Sequence, residues 1–283
     1  MKVRGWAGLG LLLVSGVAFA ATTESEMRKQ LEASMLVTGT VEVDTHGKLR
    51  SLSLSQEDSL PPGVVRVIRN SALHWRFQPV VIDGKPVTAK TDVSLRVIAQ
   101  PLPDNQFQIR VGGAMFGIGA PNPNETLRAD RLRPPDYPAA AARTNAGGTV
   151  YLVLKVGRNG KVEDAVAEQV NLRVVGTEKE VEILREMFAK NALQQGRRWR
   201  FIPPTEGPEA GAQFWSARVP VIYSMRGTKQ PVYGQWEAYL PGPRQQLPWQ
   251  THDEGPAFSP DAAPEGSVRL AGSGLKLLTA PGG

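Results

Sequence analysis

Trp75-Arg76-Phe77-Gln78-Pro79 and Trp199-Arg200-Phe201-Ile202-Pro203 spell nearly one phrase twice, in a chain of 283 residues with six tryptophans. So rare a residue in so similar a setting asks for a structural reason. Successive side chains of a strand point to opposite faces, so each Trp shares a face with its Phe and the Arg between them points away. Two large rings on one face imply burial, worth several kcal/mol per pair at ~25 cal/mol per Å². The proline that follows ends or bends the strand.

Reading outward from the phrase turns up more matches. Val41-Glu42-Val43 leads into Asp44-Thr45-His46-Gly47-Lys48-Leu49, and Leu154-Lys155-Val156 leads into Gly157-Arg158-Asn159-Gly160-Lys161-Val162. Alternating apolar residues entering a turn closed by Gly-Lys predict a β-hairpin, most strongly at Asn159-Gly160. Between each hairpin and its tryptophan lies a helical pattern. Thr177 and Glu180 form a capping box, Val181, Leu184, Met187, Phe188 and Ala192 recur at helix spacing, and Gly196 stops the run. The earlier helix is shorter. Pro61 and Pro62 start it, and Val64, Val65, Ile68 and Leu73 supply its apolar face. A closing strand is expected at 91–99 in the first copy and 216–225 in the second.

The expected fold class is α+β: two small modules, each an antiparallel three-stranded sheet with a short flanking strand, packed under one or two helices. The structural core of each module is its ring pair, Trp75 with Phe77 and Trp199 with Phe201. The expected organisation is an export signal at 1–20, a first module at 21–99, a linker with a short strand (Phe107–Val111) at 100–131, a second module at 132–226, and a Pro/Gly-rich tail at 227–283. Trp236, Tyr239, Trp249 and Phe258 punctuate that tail. Either they dock it onto the second module or they bind a partner. Val268 to Leu278 could form one strand pair around Gly272-Ser273-Gly274.

The N-terminus has a basic start (Lys2, Arg4), an apolar run from Trp6 to Ala20, and small residues at Ala18 and Ala20, which fits a cleavable secretory signal. A membrane-spanning helix wants roughly 20 apolar residues. The run is shorter than that and is broken by Gly8, Gly10 and Gly16. The expectation is therefore a periplasmic protein, with a single-pass inner-membrane anchor as the alternative and membrane association only if the segment is retained. The chain has no cysteine, which excludes disulfides, thiolate metal sites and a cysteine nucleophile. Its net charge of +6 is scattered, without an aromatic-basic stripe, so no nucleic-acid partner is expected.

The second copy resembles the C-terminal domain of TonB, the periplasmic end of an envelope energy transducer. The resemblance covers about 132–225. It rests on Pro134-Pro135-Asp136-Tyr137-Pro138, the alanines from Ala139 to Ala142, Gly148-Thr149-Val150, Asn159-Gly160-Lys161-Val162 and Trp199-Arg200-Phe201 with Pro203. The first copy is similar in its Gly-Lys turn, its Trp-Arg-Phe-Gln-Pro and Asp83-Gly84-Lys85-Pro86-Val87, but lacks the Tyr-Pro entry. The family resemblance implies recognition of a short extended segment of an outer-membrane receptor by main-chain pairing at a sheet edge. The matching strand here is 216–224. This makes Tyr137, Pro138, Arg218, Val219, Val221 and Tyr223 the candidate partner-binding residues. Pro220 marks an edge, and it also removes one donor from it. The blander role of Tyr137 and Pro138 is to fix the first helix, Pro starting it and Tyr packing below. The long Pro-rich spacer of TonB-type transducers is missing, because Ala21 to Met35 reaches only roughly 50 Å when extended.

Catalytic patterns are lacking. His46, His74 and His252 have no ligand spacing, so no metal is expected. There is no Gly-x-Ser-x-Gly elbow. The Gly-Lys pairs at 47, 84 and 160 sit at turns without the phosphate-loop pattern. Gly117-Ile118-Gly119 lacks the third glycine of a dinucleotide fingerprint. The expectation is a non-enzymatic module without cofactor or small-molecule substrate. Its partner would be a protein: an outer-membrane receptor, a transport component or itself. Two alternatives stand beside it, an envelope structural protein that self-associates and a membrane-anchored energy transducer.

Overall fold

The computed structural model describes residues 24–102, 106–117, 122–225, 227, 232–249 and 254–282. The export signal expected at 1–20, His252 and Gly119 lie outside the described residues. The chain is α+β with mostly antiparallel sheets.

A short helix, α1 (Glu24–Lys29), precedes β1 (Glu32–Val43) and β2 (Leu49–Leu54). Helix α2 (Pro62–Ala72), a small hairpin of β3 (Val80–Ile82) and β4 (Lys85–Val87), β5 (Ala89–Pro101) and β6 (Phe107–Phe116) follow. Then come β7 (Arg128–Arg131), α3 (Ala139–Ala142), β8 (Gly148–Gly157), β9 (Val162–Leu172), α4 (Glu178–Gly196), β10 (Arg200–Ile202) and β11 (Phe214–Tyr223). The tail adds β12 (Glu237–Tyr239) and β13 (Arg269–Leu270).

The two hairpins are built alike. Gly47 and Gly160 adopt φ of 75° and 72°, and their N–H groups donate to Asp44 and Gly157 carbonyls at 3.0 and 2.9 Å. Each turn then receives its own copy of the phrase. Phe77 N–H donates to Gly47 O at 2.8 Å, and Phe201 N–H to Gly160 O at 2.9 Å. Lys48 bridges Arg76 just as Lys161 bridges Arg200. A Cβ at either glycine would collide with the carbonyl oxygen of the matching Phe, with Pro79 or Pro203 just behind. Only glycine satisfies both the left-handed backbone and this close approach.

All four phrase rings are buried. Trp75 and Phe77 lie in a core with Met35, Val37, Ile68, Val93 and Leu95, and Trp199 and Phe201 in one with Leu152, Leu154, Phe188 and Val219. The α4 capping box forms, with Thr177 N–H donating to Glu180 Oε2 at 2.8 Å and Glu180 N–H to Thr177 Oγ1 at 3.4 Å. In α4, Val181, Leu184, Phe188 and Ala192 are buried, and Met187 packs at the margin. In α2, Val64 and Ile68 are buried, but Leu73 is 73% exposed. Leu73 is the C-cap of a helix that ends at Ala72, so it is carried past the apolar stripe and into solvent.

Among the described residues neither module's main sheet has three strands. The first has five, in the order β12-β1-β5-β6 with β2 also on β1, and the second has four, β13-β11-β8-β9. The extra strands come from segments expected to be linker and tail. Phe107–Phe116 is no short linker strand. It pairs along β5 from Pro101 to Val93, and it delivers Phe116 edge-on to Trp75 and Phe77, at ring distances of 5.9 and 5.0 Å. Gly112 and Gly113 hide this strand in the sequence, yet side chains there would strike Ile98 and Ser259. Arg128–Arg131, also in the supposed linker, pairs with β10 beside the second phrase.

The tail docks on both modules. Strand β12 pairs with the start of β1, Leu240 bridges Leu172 on β9, and β13 pairs with β11. The last residues return to the first module, where Leu277 is buried in the core beside Phe77. Arg269–Leu270 pairs with β11, so Val268–Leu278 forms no strand pair with itself. At the other end of the chain, Met27 of α1 packs into the second module's core.

Candidate recognition edge

Strand β11 lies between β8 and β13, in register with β8 from Phe214↔Gly157 to Tyr223↔Gly148. Its odd-numbered side chains, Trp215, Ala217, Val219, Val221 and Tyr223, enter the second core. Its even-numbered residues carry Arg218 and Pro220 on the other face.

The structure places all six candidate residues inside or at the margin of the module. Val219, Val221 and Tyr223 are core residues. Tyr223 stacks on Phe188 at 4.4 Å and donates its hydroxyl to Asn191 Oδ1 at 2.7 Å. Tyr137 donates its hydroxyl to Ala146 O, and its ring lies 6.3 Å from both Phe188 and Tyr223. Pro138 is the N-cap of α3 and accepts from Ala141 N–H at 3.0 Å. Tyr137, Val221 and Tyr223 therefore sit in one packed cluster beneath α4, and Pro138 starts α3. They shape the strand.

Arg218 is the exception in chemistry, being a cation with 0% exposure. Its Nε and Nη2 donate to both oxygens of Glu168 at 2.7 and 3.2 Å, and Nη1 donates to Glu254 at 3.0 Å. Glu168, also fully buried, accepts from Arg244 Nε at 3.0 Å as well. The ring of Phe258 lies 4.3 Å from the Arg218 guanidinium and 4.6 Å from that of Arg244. Burial opposes the charge on Arg218, but Glu254 and Glu168 more than offset it, so its pKa is raised. The network ties β9, β11 and the tail together. Its signal in the sequence is one acid and one base, each stranded in an apolar strand: Glu168 after Ala165-Val166-Ala167, and Arg218 before Val219.

The outer side of β11 is the candidate edge. Ala271 N–H donates to Ser216 O at 2.7 Å, so by the alternation of an antiparallel ladder the polar groups of Ser216, Arg218, Pro220 and Ile222 point outward. The tail covers Ser216 to Arg218, which corrects the expectation of an open edge. Pro220 then offers no donor. Beyond it opens a cleft of about 300 Å³ between the modules, lined by Arg96, Tyr151, Arg173, Glu237, Tyr239 and Glu265. Its cations are engaged. Arg173 holds Glu237 at 2.8 Å and Tyr223 O at 3.1 Å, and Arg96 donates to Asp261 O and Ser34 Oγ. Burial pushes the Glu265 carboxyl and the Tyr151 hydroxyl up.

Of the histidines, His46 sits in the first turn, and His74 lies just past α2 with Nδ1 3.2 Å from Asn70 O. Among the described residues no group of three His, Cys, Asp or Glu could hold a metal ion. Comparison of the chain with protein-family models, with curated proteins and with solved structures returns no match.

Proposed function

We propose that the protein is a non-catalytic recognition module of the cell envelope, similar in build to the TonB C-terminal domain. It would take an extended segment of an outer-membrane receptor or transport component onto the outer edge of β11. The observation that carries this reading is how the sheets are completed. Short extended pieces of the chain's own tail add to three edges: Glu237–Tyr239 on β1, Leu240 with Gln245 on β9, and Arg269–Leu270 on β11. A sheet that accepts two or three residues this way in cis has the geometry to accept another chain, because the affinity comes from main-chain bonds. The periplasmic setting rests on the apolar segment at 1–20. No described helix is long and apolar enough to cross a membrane.

Residues 21–283 used as bait in an envelope extract test the reading. It expects an outer-membrane receptor or transport component among the captured proteins, and recovery of neither would count heavily against it. One feature favours the second reading, self-association. The hairpin β3–β4 carries Val81 and Ile82 exposed, one on each face, beside a turn through Asp83 and Gly84 at positive φ. Sedimentation of the pure protein as an oligomer that Val81→Lys disperses would support it.

A further inference from the structure

We propose that Arg269–Ala271 is a displaceable plug, seated on the main-chain groups of Ser216 and Arg218 until an extended segment of another protein takes its place. The inference rests on the reading of β11 as the recognition edge, and it adds how that edge is kept closed.

The plug is small and hinged. It forms a two-residue strand plus the bond from Ala271 N–H to Ser216 O. Gly266 precedes it at φ 69°, and Gly272 and Gly274 follow at 78° and 90°. Both flanks are anchored independently. Upstream, Tyr239 Oη donates to Asp261 Oδ2 at 3.1 Å and Arg96 donates to Asp261 O. Downstream, Gln78 N–H donates to Lys276 O at 2.9 Å and Leu277 is buried in the first core. The segment between can leave while its ends stay in place, by lifting the buried Leu270 out of the second core and giving up the bond from Gly272 N–H to Glu254 Oε1 at 2.8 Å.

The plug is also seated at a cost. Arg269 is only 7% exposed, yet its Nε and Nη1 have no partner among the described residues, while Nη2 donates to Ser273 O at 2.6 Å. It stands directly opposite Arg218 in the ladder. Buried donors left unpaired weaken such a pairing, and the like charge of Arg218, directly opposite, works against the attraction of Glu254 for Arg269. A strand selected only for stability would carry an uncharged residue here.

The edge continues past the plug in both directions. A cavity of about 200 Å³ lies beside Ser216, walled by Phe214, Leu247, Trp249 and Glu254. The cleft of about 300 Å³ opens at Pro220. The plug covers the middle of a longer track. The partner that fits is an extended peptide with an uncharged side chain opposite Arg218, because Glu168 and Glu254 already satisfy that cation.

Two variants of the full chain test this, read by hydrogen exchange over 214–223 and by binding of a fluorescent peptide spanning Ser267 to Ser273 with the substitution Arg269→Met. Ala271→Pro removes the donor to Ser216. It should raise exchange on the outer edge of β11 about tenfold and admit the peptide. Arg269→Met keeps the apolar stem and removes the unpaired donors. It should lower exchange about tenfold and exclude the peptide. Unchanged exchange in both variants, or equal peptide binding by all forms, would overturn the plug. If Ala271→Pro does not fold, the slowing in Arg269→Met decides alone. An edge that opens in Ala271→Pro while that chain captures no envelope protein would leave the plug standing and sink the recognition reading.

Discussion

Trp75 and Trp199 occupy matching places, yet their indole N–H groups are held from opposite directions along the chain. Trp199 Nε1 donates to Arg133 O at 2.8 Å, in the segment that leads into its own module. Trp75 Nε1 donates to Pro281 O at 3.0 Å, at the far C-terminus. The second module finishes its ring site with adjacent sequence. The first borrows the end of the protein for the same purpose: Leu277 in its core, Lys276 O on Gln78 N–H, and Arg76 O accepting from Leu278 N–H at 2.7 Å. The difference teaches that a repeated module can keep its internal register while its outer surface is completed by whatever segment reaches it.

The comparison breaks most visibly if the tail is cut. Ending the chain after Gly274 removes the buried Leu277, two main-chain bonds to the first phrase and the indole acceptor, and leaves β13 on the second sheet. The expected loss in the first module is on the order of 5 kcal/mol. Chemical denaturation followed by exchange mass spectrometry should show 62–79 losing protection well before 178–201. Simultaneous loss in both would mean that the modules do not fold as separate units.

The next effect belongs to the second module. Arg218→Leu leaves Glu168 buried with only the half-exposed Arg244 as a charged partner, at an expected cost of about 3–5 kcal/mol. Pairing it with Glu168→Leu should recover much of that loss in a double-mutant cycle. A double variant as unstable as the single one would show that packing, rather than the uncompensated charge, sets the cost.

A smaller effect separates the helices. Thr177→Ala removes the α4 capping box and should cost about 1 kcal/mol by thermal unfolding. α2 starts on Pro61 and Pro62 without a side-chain cap, so Pro61→Ala should change stability far less.

The smallest contrast is between the turns. Asp44 Oδ1 accepts from Lys48 N–H at 2.9 Å and from His46 N–H at 2.8 Å, whereas the second turn has Gly157 in the place of Asp44, and Asn159, in the place of His46, accepts from Lys161 N–H at 2.9 Å. The backbone bond from Lys48 holds the Asp44 carboxyl below the usual aspartate range. A carboxyl lowered in the folded state contributes stability above its unfolded pKa and loses it as pH falls through the folded one. Going from about pH 5 to about pH 3, the protection of the Lys48 amide relative to its intrinsic exchange rate should therefore fall, and Asp44→Asn should abolish the response. Lys161 should respond little, because its turn uses a neutral amide.

The repeated phrase, the Gly-Lys turns and the α4 cap were legible because each rests on local chemistry: burial of two rings set two residues apart, although only Arg200–Ile202 of the two phrases is a strand, a left-handed glycine, and a side chain closing its own helix. Leu73 was misread because helix spacing gives a stripe and does not say which turn is last. Strand β6 was hidden because Gly112 and Gly113 reduce strand propensity, and the reason for them is Ile98 and Ser259, which only the fold brings near. The candidate edge was legible as a strand through Pro220, but its occupation was not. The partners of that edge, Arg269 to Ala271, lie some fifty residues further along, in a segment whose prolines read as irregular. The charges of Glu168 and Arg218 were visible one at a time, and nothing local in the sequence says that they meet.

Exchange of the two indole N–H groups, followed by NMR in the full chain and in the chain ending at Gly274, tests the twin-module account most directly. Both indoles should exchange slowly in the full chain, and in the shortened chain Trp75 alone should become fast. A fast Trp75 in the full chain, or one that ignores the cut, would contradict the account.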